Sequence, residues 1–354
     1  MSTDRVILVT GGSGFIGSRF AEILCLTGFA RAHVGVTSWA RAARPARFRM
    51  NVVPCDVLDP DQVWEAVQGV DVVVHCAVGD RRVIVDGTRN VLDASARACV
   101  SRVIHLSTAE VYGAAVSGNV DETAPLKPGT SDYADAKIDA ERLVWESAAR
   151  GLPITVFRPS IVYGPWSDQW TAALAVRLQS GRWGRYAGYG DGTCNLVYID
   201  DLVAAALASL DYRTAVGQAF NVVGPDVLTW NEYFERFNAA LGRPDLDARS
   251  ARRAKAKSML TGAVRTTAHI ALARYSGALM KVYERGGWVA PVMKRTKAWL
   301  TSSPSSSELE QLYSRRAIYD WSKAERLLRY RPAVDLNRGL RYSVDWLRYA
   351  GFLN

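Results

Sequence analysis

Tyr133 and Lys137 stand four positions apart in "SDYADAK", the spacing that puts two side chains on one face of a helix. A phenol titrates near ~10 and a lysine near ~10.4, and a neighbouring cation favours the phenolate. The pair has the makings of a general base for hydroxyl chemistry. Two surface residues show the same spacing by chance, and the motif alone does not choose between these readings. A second stretch, "VTGGSGFIGS", sets Gly11, Gly14 and Gly17 three apart between a strand-like run and a helical one. Glycines there permit a tight turn, a close backbone approach to a pyrophosphate, and helix packing on a sheet. The helix N-terminus then offers unpaired N–H groups to the phosphates. In that context the loop predicts dinucleotide binding.

These residues need a frame. Strand-like runs are "RVILVT" (5–10), "AHVGV" (32–36), "NVVPC" (51–55), "VDVVVHC" (70–76), "RVIHLST" (102–108) and "PITVF" (153–157). Helical patterns fall between them at 15–27, 59–68, 84–98 and 133–150. Val/Ile runs alternating with helices predict an α/β fold: a Rossmann doubly wound parallel sheet with helices on both faces. Later segments are mixed, with helices at 168–180, 200–210 and 229–241 and a strand at 218–223. The expected division is a dinucleotide-binding domain at 1–162 and 193–225, and a smaller mixed substrate domain at 163–192 and 226–354.

About 20 residues past the glycine loop, where an acid commonly holds the adenosine ribose, stand Thr37, Ser38 and Trp39, followed by Arg41, Arg44 and Arg47. Cations without an acid suit a 2′-phosphate, so NADP is favoured slightly over NAD; solvated arginines are the plainer alternative. Asp56, after the third strand, is a candidate neighbour of the adenine. The five cysteines form no C-x-x-C and the four histidines no ligand pair. No metal is expected, and the scatter fits a reducing cytoplasm.

The formal charge is +9, and residues 243–297 hold 13 Lys or Arg against three acids. Val264, Ala268, Leu272, Tyr275, Leu279 and Val282 form a helical stripe within that segment. It reads as a basic amphipathic insertion near 250–300. One reading is a substrate-domain helix with solvated cations; another is a peripheral membrane contact through 262–300. Nucleic acid is not expected, because the interleaved aromatic platform is missing.

The motifs together resemble the extended short-chain dehydrogenase/reductase family, which includes nucleotide-sugar epimerases and dehydratases. The matching pieces are "TGGSGFIG" (10–17), "CDV" (55–57), "HCAV" (75–78), "STAEVYG" (107–113), "YADAK" (133–137), "RPSIVYGP" (158–165) and "VYIDDL" (197–202), with "RLLRYRPAVDLNRGL" (326–340) near the end. The resemblance implies that Tyr133 is the acid/base on a substrate hydroxyl or carbonyl. Lys137 would lower its pKa and hold the nicotinamide ribose, and Thr108 would bind the same substrate oxygen. Glu110 completes the implied catalytic set. Gly11, Gly14, Phe15, Ile16, Gly17, Ser38, Arg41, Asp56, Val57, Ala77, Tyr133, Lys137 and Pro159 are the implied cofactor contacts.

Four positions depart from the family pattern. Ala109 stands where dehydratases carry an acidic or similar polar residue, which disfavours dehydration. Ile161, Cys194 and Ile84 replace an Asn, an Arg and an Asn that nucleotide-sugar members use. The leading expectation is a cytoplasmic NAD(P)-dependent oxidoreductase or epimerase on a secondary hydroxyl of a sugar-type substrate. The alternatives are a 3β-hydroxysteroid-dehydrogenase-like enzyme on a lipid substrate and a non-catalytic NADP-sensing regulator. A homodimer is the expected assembly.

Overall fold

Every residue of β1 (Val6–Thr10) is buried, and so is every residue of β4 (Val72–His75), β5 (Arg102–Leu106) and β7 (Ile154–Pro159). Strands buried along their whole length need cover on both faces, which a parallel sheet wrapped by crossover helices provides. The computed structural model describes residues 5–48, 50–114, 117–181, 183–250 and 308–353. The expected amphipathic insertion and the proposed membrane contact fall outside the described residues, apart from 250.

The chain divides into two units. The first, spanning 1–163, 195–226 and 317–335, is built on a seven-stranded sheet. With β2 (Arg31–Val36), β3 (Asn51–Pro54) and β10 (Gln218–Val222), the strand order is β10-β7-β5-β4-β1-β2-β3. All neighbours pair in parallel. The order reverses between β1 and β4, where Thr10 aligns with His75. In a doubly wound sheet this reversal opens a crevice at the carboxyl ends of the strands.

Helices follow the strands. They are α1 (Phe15–Thr27), α2 (Pro60–Val67), α3 (Arg81–Arg97) and α4 (Asp132–Ala149). Local sequence starts them: Asp59 caps α2 by accepting from the amides of Asp61 and Gln62, Asp80 caps α3, and Ser131 caps α4. Further along lie α5 (Ala173–Gln179) and α6 (Ile199–Ala208). Helix α3 packs against α2 and α4, while α1 packs against α6.

Short pairings complete this unit. β6 (Ser117–Val120) pairs with β11 (Arg316–Tyr319), and β8 (Ile161–Tyr163) with β9 (Leu196–Tyr198). Residues 317–335 therefore join the first unit, where the sequence reading put all of 226–354 in the second. The β6 pairing explains it, together with the Tyr330 hydroxyl donating to the Val223 carbonyl at 3.0 Å.

The second unit spans 164–194, 227–316 and 336–354. Its helix α7 (Trp230–Ala240) starts with a capping box of Thr229 and Glu232 and packs against α5 and α8 (Leu336–Tyr349). Trp183, Trp230, Tyr233, Phe234, Phe237 and Tyr313 form its buried aromatic centre. The single helix expected at 168–180 is instead a wide turn, Asp168–Ala172, followed by α5.

Candidate active site

The glycine loop leaves β1 at the sheet's reversal point. Gly11 has φ +63°, and a Cβ there would lie 2.7 Å from both the nitrogen and the Cα of Ala77. A Cβ on Gly17 would collide with the Gly11 carbonyl oxygen. Both positions thus demand glycine for close packing of loop, helix and the turn after β4. No side chain caps α1 at Gly14, so its first amides face outward unclaimed by a side chain. Phe15 and Ile16 are half-buried beside them. This cradle fits a pyrophosphate.

The flanking contacts differ in availability. Ser38 and Arg41 are exposed on the turn after β2, linked by the Arg41 amide donating to the Ser38 carbonyl at 3.0 Å. Arg44 is engaged elsewhere, since its Nε lies 2.6 Å from the Glu22 carboxylate. Glu22 also meets Arg19, which pairs with Asp200 at 2.6 Å. Asp56 is half-buried, and its carboxylate accepts from the Leu58 amide at 3.0 Å. Val57, Ala77 and Pro159 are buried.

Tyr133 lies in the first turn of α4 and Lys137 one turn later. The Thr108 side chain lies close enough to the Tyr133 hydroxyl to favour its ionised form. Thr108 accepts from the Glu110 amide at 3.2 Å, because it caps the helical turn Ala109–Tyr112 that follows β5. The carboxyl end of β5 thereby brings Thr108 toward the helix face carrying Tyr133.

The electrostatics differ from the expectation that Lys137 depresses the Tyr133 pKa. The Tyr133 phenol is pushed up to about 12, first by desolvation and then by the Glu110 charge, with the Thr108 side chain opposing. The residue as a whole is 38% exposed. Lys137 turns its ammonium to the Leu106 carbonyl, 2.8 Å away at the end of β5. Burial pushes Lys137 down to about 8, while Cys76 and Glu141 pull it back up.

Two buried histidines, His75 on β4 and His105 on β5, lie close together in the same sheet. The Thr88 hydroxyl donates to the Ile84 carbonyl, so its oxygen accepts from His75 Nε2 at 3.0 Å. His75 Nδ1 then accepts from the Thr10 hydroxyl at 2.7 Å. This assigns the Nε2–H tautomer. Burial pushes His75 down to about 3. His105 lies 5.5 Å from it, ring to ring, with neither ring nitrogen hydrogen-bonded. Burial, Lys137 and His75 hold it well below its usual value.

Sequence reasoning also missed Glu141, which is fully buried on α4 and paired with Arg158 of β7 at 2.6 Å. The signal was present: Glu141 continues the four-residue spacing from Tyr133 and Lys137. Among the departures, Cys194 and Ile84 are buried and Ile161 is half-buried on β8. Among the described residues, no three His, Cys, Asp or Glu side chains converge on a metal position, and no helix is long and apolar enough to cross a membrane.

Comparison with known proteins agrees with this architecture. The profile of the NAD dependent epimerase/dehydratase family matches residues 7–223. A 3beta-hydroxysteroid-dehydrogenase/decarboxylase (isoform 1) from Arabidopsis thaliana is 27% identical, over 97% of this chain and 80% of that protein. A 2-alkyl-3-oxoalkanoate reductase from Stenotrophomonas maltophilia (strain K279a) is 30% identical, over 68% of this chain and 77% of that protein. The structure of a dTDP-glucose 4,6-dehydratase from Streptomyces venezuelae, solved with NAD bound, superposes with a TM-score of 0.72 at 24% identity, covering 99% of each chain.

Proposed function

Since the chain belongs to the NAD dependent epimerase/dehydratase family, we propose that it oxidises or reduces a secondary alcohol–ketone pair with a nicotinamide dinucleotide, Tyr133 being the acid/base. The observation that carries this reading is the convergence of Tyr133 and Lys137, one helical turn apart on α4, with Thr108 just after β5 near enough to the phenol to bias its ionisation. When bound, the cofactor supplies the hydride donor or acceptor.

The protein's own residues handle the oxygen and its proton. A phenol pushed up to about 12 keeps its proton at neutral pH, which readies the cofactor-free site to act as an acid. In carbonyl reduction Tyr133 gives that proton to the substrate oxygen while Thr108 hydrogen-bonds the same oxygen. In alcohol oxidation the phenolate takes the proton back. Lys137, held near the floor of the site by Leu106, supplies a cation beside the ribose. Glu110 lies close enough to bias Tyr133, and a dehydration step is disfavoured by Ala109, buried at the acid's position. Gly11, Gly14 and Gly17 would hold the pyrophosphate. Ser38 and Arg41 would meet a 2′-phosphate; Arg44, spent on Glu22, would not.

For the substrate, two observations move the weight from a sugar-type compound to an apolar alicyclic alcohol such as a 3-hydroxysteroid. Cys194, at the position where an arginine would grip a diphosphate, is fully buried with its thiol pushed well up by desolvation. The relative matched along 97% of the chain is named for 3β-hydroxysteroid oxidation and decarboxylation. A sugar-type substrate stays the second reading, supported by the family's epimerase and dehydratase members. Turnover of a panel of hydroxysteroids and sugar nucleotides with NAD and NADP tests the choice. Activity on sugar nucleotides alone would overturn the steroid reading.

A further inference from the structure

Two consecutive four-residue steps on one face of α4 carry Tyr133, Lys137 and Glu141. Only the first two have a chemical role in the reading above. Glu141 is wholly enclosed, and a carboxylate so placed must be paired and hydrogen-bonded. Its Oε1 accepts a short bond from the Ser107 hydroxyl and one from Arg158 Nε at 3.0 Å. Its Oε2 accepts from Arg158 Nη2 at 2.6 Å.

Arg158 extends the network. Its Nη1 donates to the Tyr112 hydroxyl at 2.9 Å, and Tyr112 donates to Asn221 Oδ1 at 2.7 Å. The Asn221 side-chain amide donates to the carbonyls of Val120 and Asp320, both at 3.1 Å, and its backbone amide donates to the Glu122 carboxylate at 2.7 Å. Two of the tied residues adjoin the chemistry. Ser107 is the immediate neighbour of Thr108, and Tyr112 closes the helical turn that Thr108 begins. The network thus fastens the loop after β5 and strand β7 to the helix face bearing Tyr133 and Lys137.

We propose that Glu141 is the positioning residue of the active site: it locks the Ser107–Thr108 corner against α4, and it supplies the buried negative charge that Lys137 faces. The idea rests on the functional reading above, in which Lys137 contacts the bound cofactor.

Other groups face Lys137. The Cys76 thiol after β4 is pushed up to about 12 and is neutral below that pH. His75 on β4 and His105 on β5 are held neutral by burial. Tyr133, on the same helix, keeps its proton. Glu141 is therefore the anion favouring the ammonium form of Lys137. A merely structural ion pair would not set the pH at which Lys137 loses its proton; a positioning carboxylate would.

The test is the pH dependence of binding of NADH or NADPH, whichever the protein prefers, followed by nicotinamide fluorescence, in the wild type, Ser107→Ala, Glu141→Gln, the double variant Glu141→Gln/Arg158→Met, and Lys137→Ala. The double variant removes both buried charges together, which keeps the experiment interpretable if Glu141→Gln alone fails to fold with Arg158 unpaired. The wild type is expected to lose affinity for it with a midpoint near pH 8, and Lys137→Ala to abolish that midpoint. Glu141→Gln should move it about one unit lower, the scale on which a nearby opposite charge acts, and the double variant should move it in the same direction by less, because the Arg158 cation leaves with the carboxylate. Ser107→Ala keeps the charge and should leave the midpoint in place.

A folded double variant with an unshifted midpoint overturns the proposal while leaving the functional reading intact. Wild-type protein that binds neither NADH nor NADPH, or binds the one it prefers with no Lys137-dependent midpoint, overturns the functional reading and the proposal with it.

Discussion

Lowering the pH from 7 to 5 should weaken the fold at the floor of the cofactor crevice, and His75 sets the size of the effect. Its ring bridges Thr10, the last residue of β1, and Thr88 of α3. Burial depresses its pKa from the ordinary 6.5 to about 3. The folded value lies below the unfolded one, so the unfolded chain takes up the proton first. The neutral ring's contribution is complete above pH 6.5 and is lost as the pH falls toward 3. Each pH unit in that window costs about 1.4 kcal/mol. Between 6.5 and 5 the loss from His75 is about 2 kcal/mol, and His105 adds a loss of the same sign.

Ordinary carboxylates titrate below pH 5, so between pH 7 and 5 the histidines that burial lowers dominate, His75 and His105 with the partly buried His33. Urea unfolding of wild type and His75→Gln at both pH values measures it. Glutamine can donate to Thr88 and accept from Thr10 without titrating, so its loss between pH 7 and 5 should be smaller by about 2 kcal/mol. Equal losses in the two proteins would refute the assignment of a buried, neutral, hydrogen-bonded His75.

Tyr133→Phe should lower turnover by ~10²–10⁴-fold, the usual scale of a lost general acid/base, while cofactor titration gives nearly wild-type affinity. Gly17→Ala, whose methyl meets the Gly11 carbonyl, should weaken cofactor binding by at least about tenfold, equivalent to ~1.4 kcal/mol, as read by calorimetry. Arg41→Ala should narrow any preference for NADP in the same titration. Arg44→Ala should leave that preference alone and instead cost about 2 kcal/mol in urea unfolding, less than the 3–5 of a fully orphaned buried charge because Arg19 still meets Glu22.

The sheet was readable wherever burial on both faces wrote itself as an unbroken apolar run. "RVILVT" and "PITVF" became β1 and β7 within a residue or two. The capped helices were equally legible, as at Ser131 and Asp59. What escaped were strands of three or four residues, β6, β8, β9 and β11, which are too short for any periodicity to show. Their pairing depends on partners far along the chain: β6 and β11 are separated by most of the sequence. Residues 317–335 therefore could not be assigned to the first unit from pattern alone.

At the site, residue types marked Tyr133, Lys137, Thr108 and the glycine loop, because chemistry restricts the choice there. The direction of the Tyr133 pKa was not legible. It turns on the desolvation of the phenol and on the proximity of Glu110, both set by tertiary packing. Arg44 taught the same lesson: composition offered three equivalent cations, and the fold committed one of them to Glu22. Glu141 was visible as a spacing, but its meaning came only with Arg158 and Ser107 around it.

The central claim is that Tyr133 exchanges a proton with substrate oxygen while hydride moves to or from a bound nicotinamide. Its most direct test follows the near-ultraviolet absorbance of reduced nicotinamide on mixing NAD- or NADP-loaded protein with a panel of 3-hydroxysteroids and sugar nucleotides. The wild type should reduce the cofactor with at least one member, and Tyr133→Phe, loaded equally with cofactor, should not. Reduction at the same rate in both proteins, or no reduction by the wild type with any member of the panel, would contradict the account.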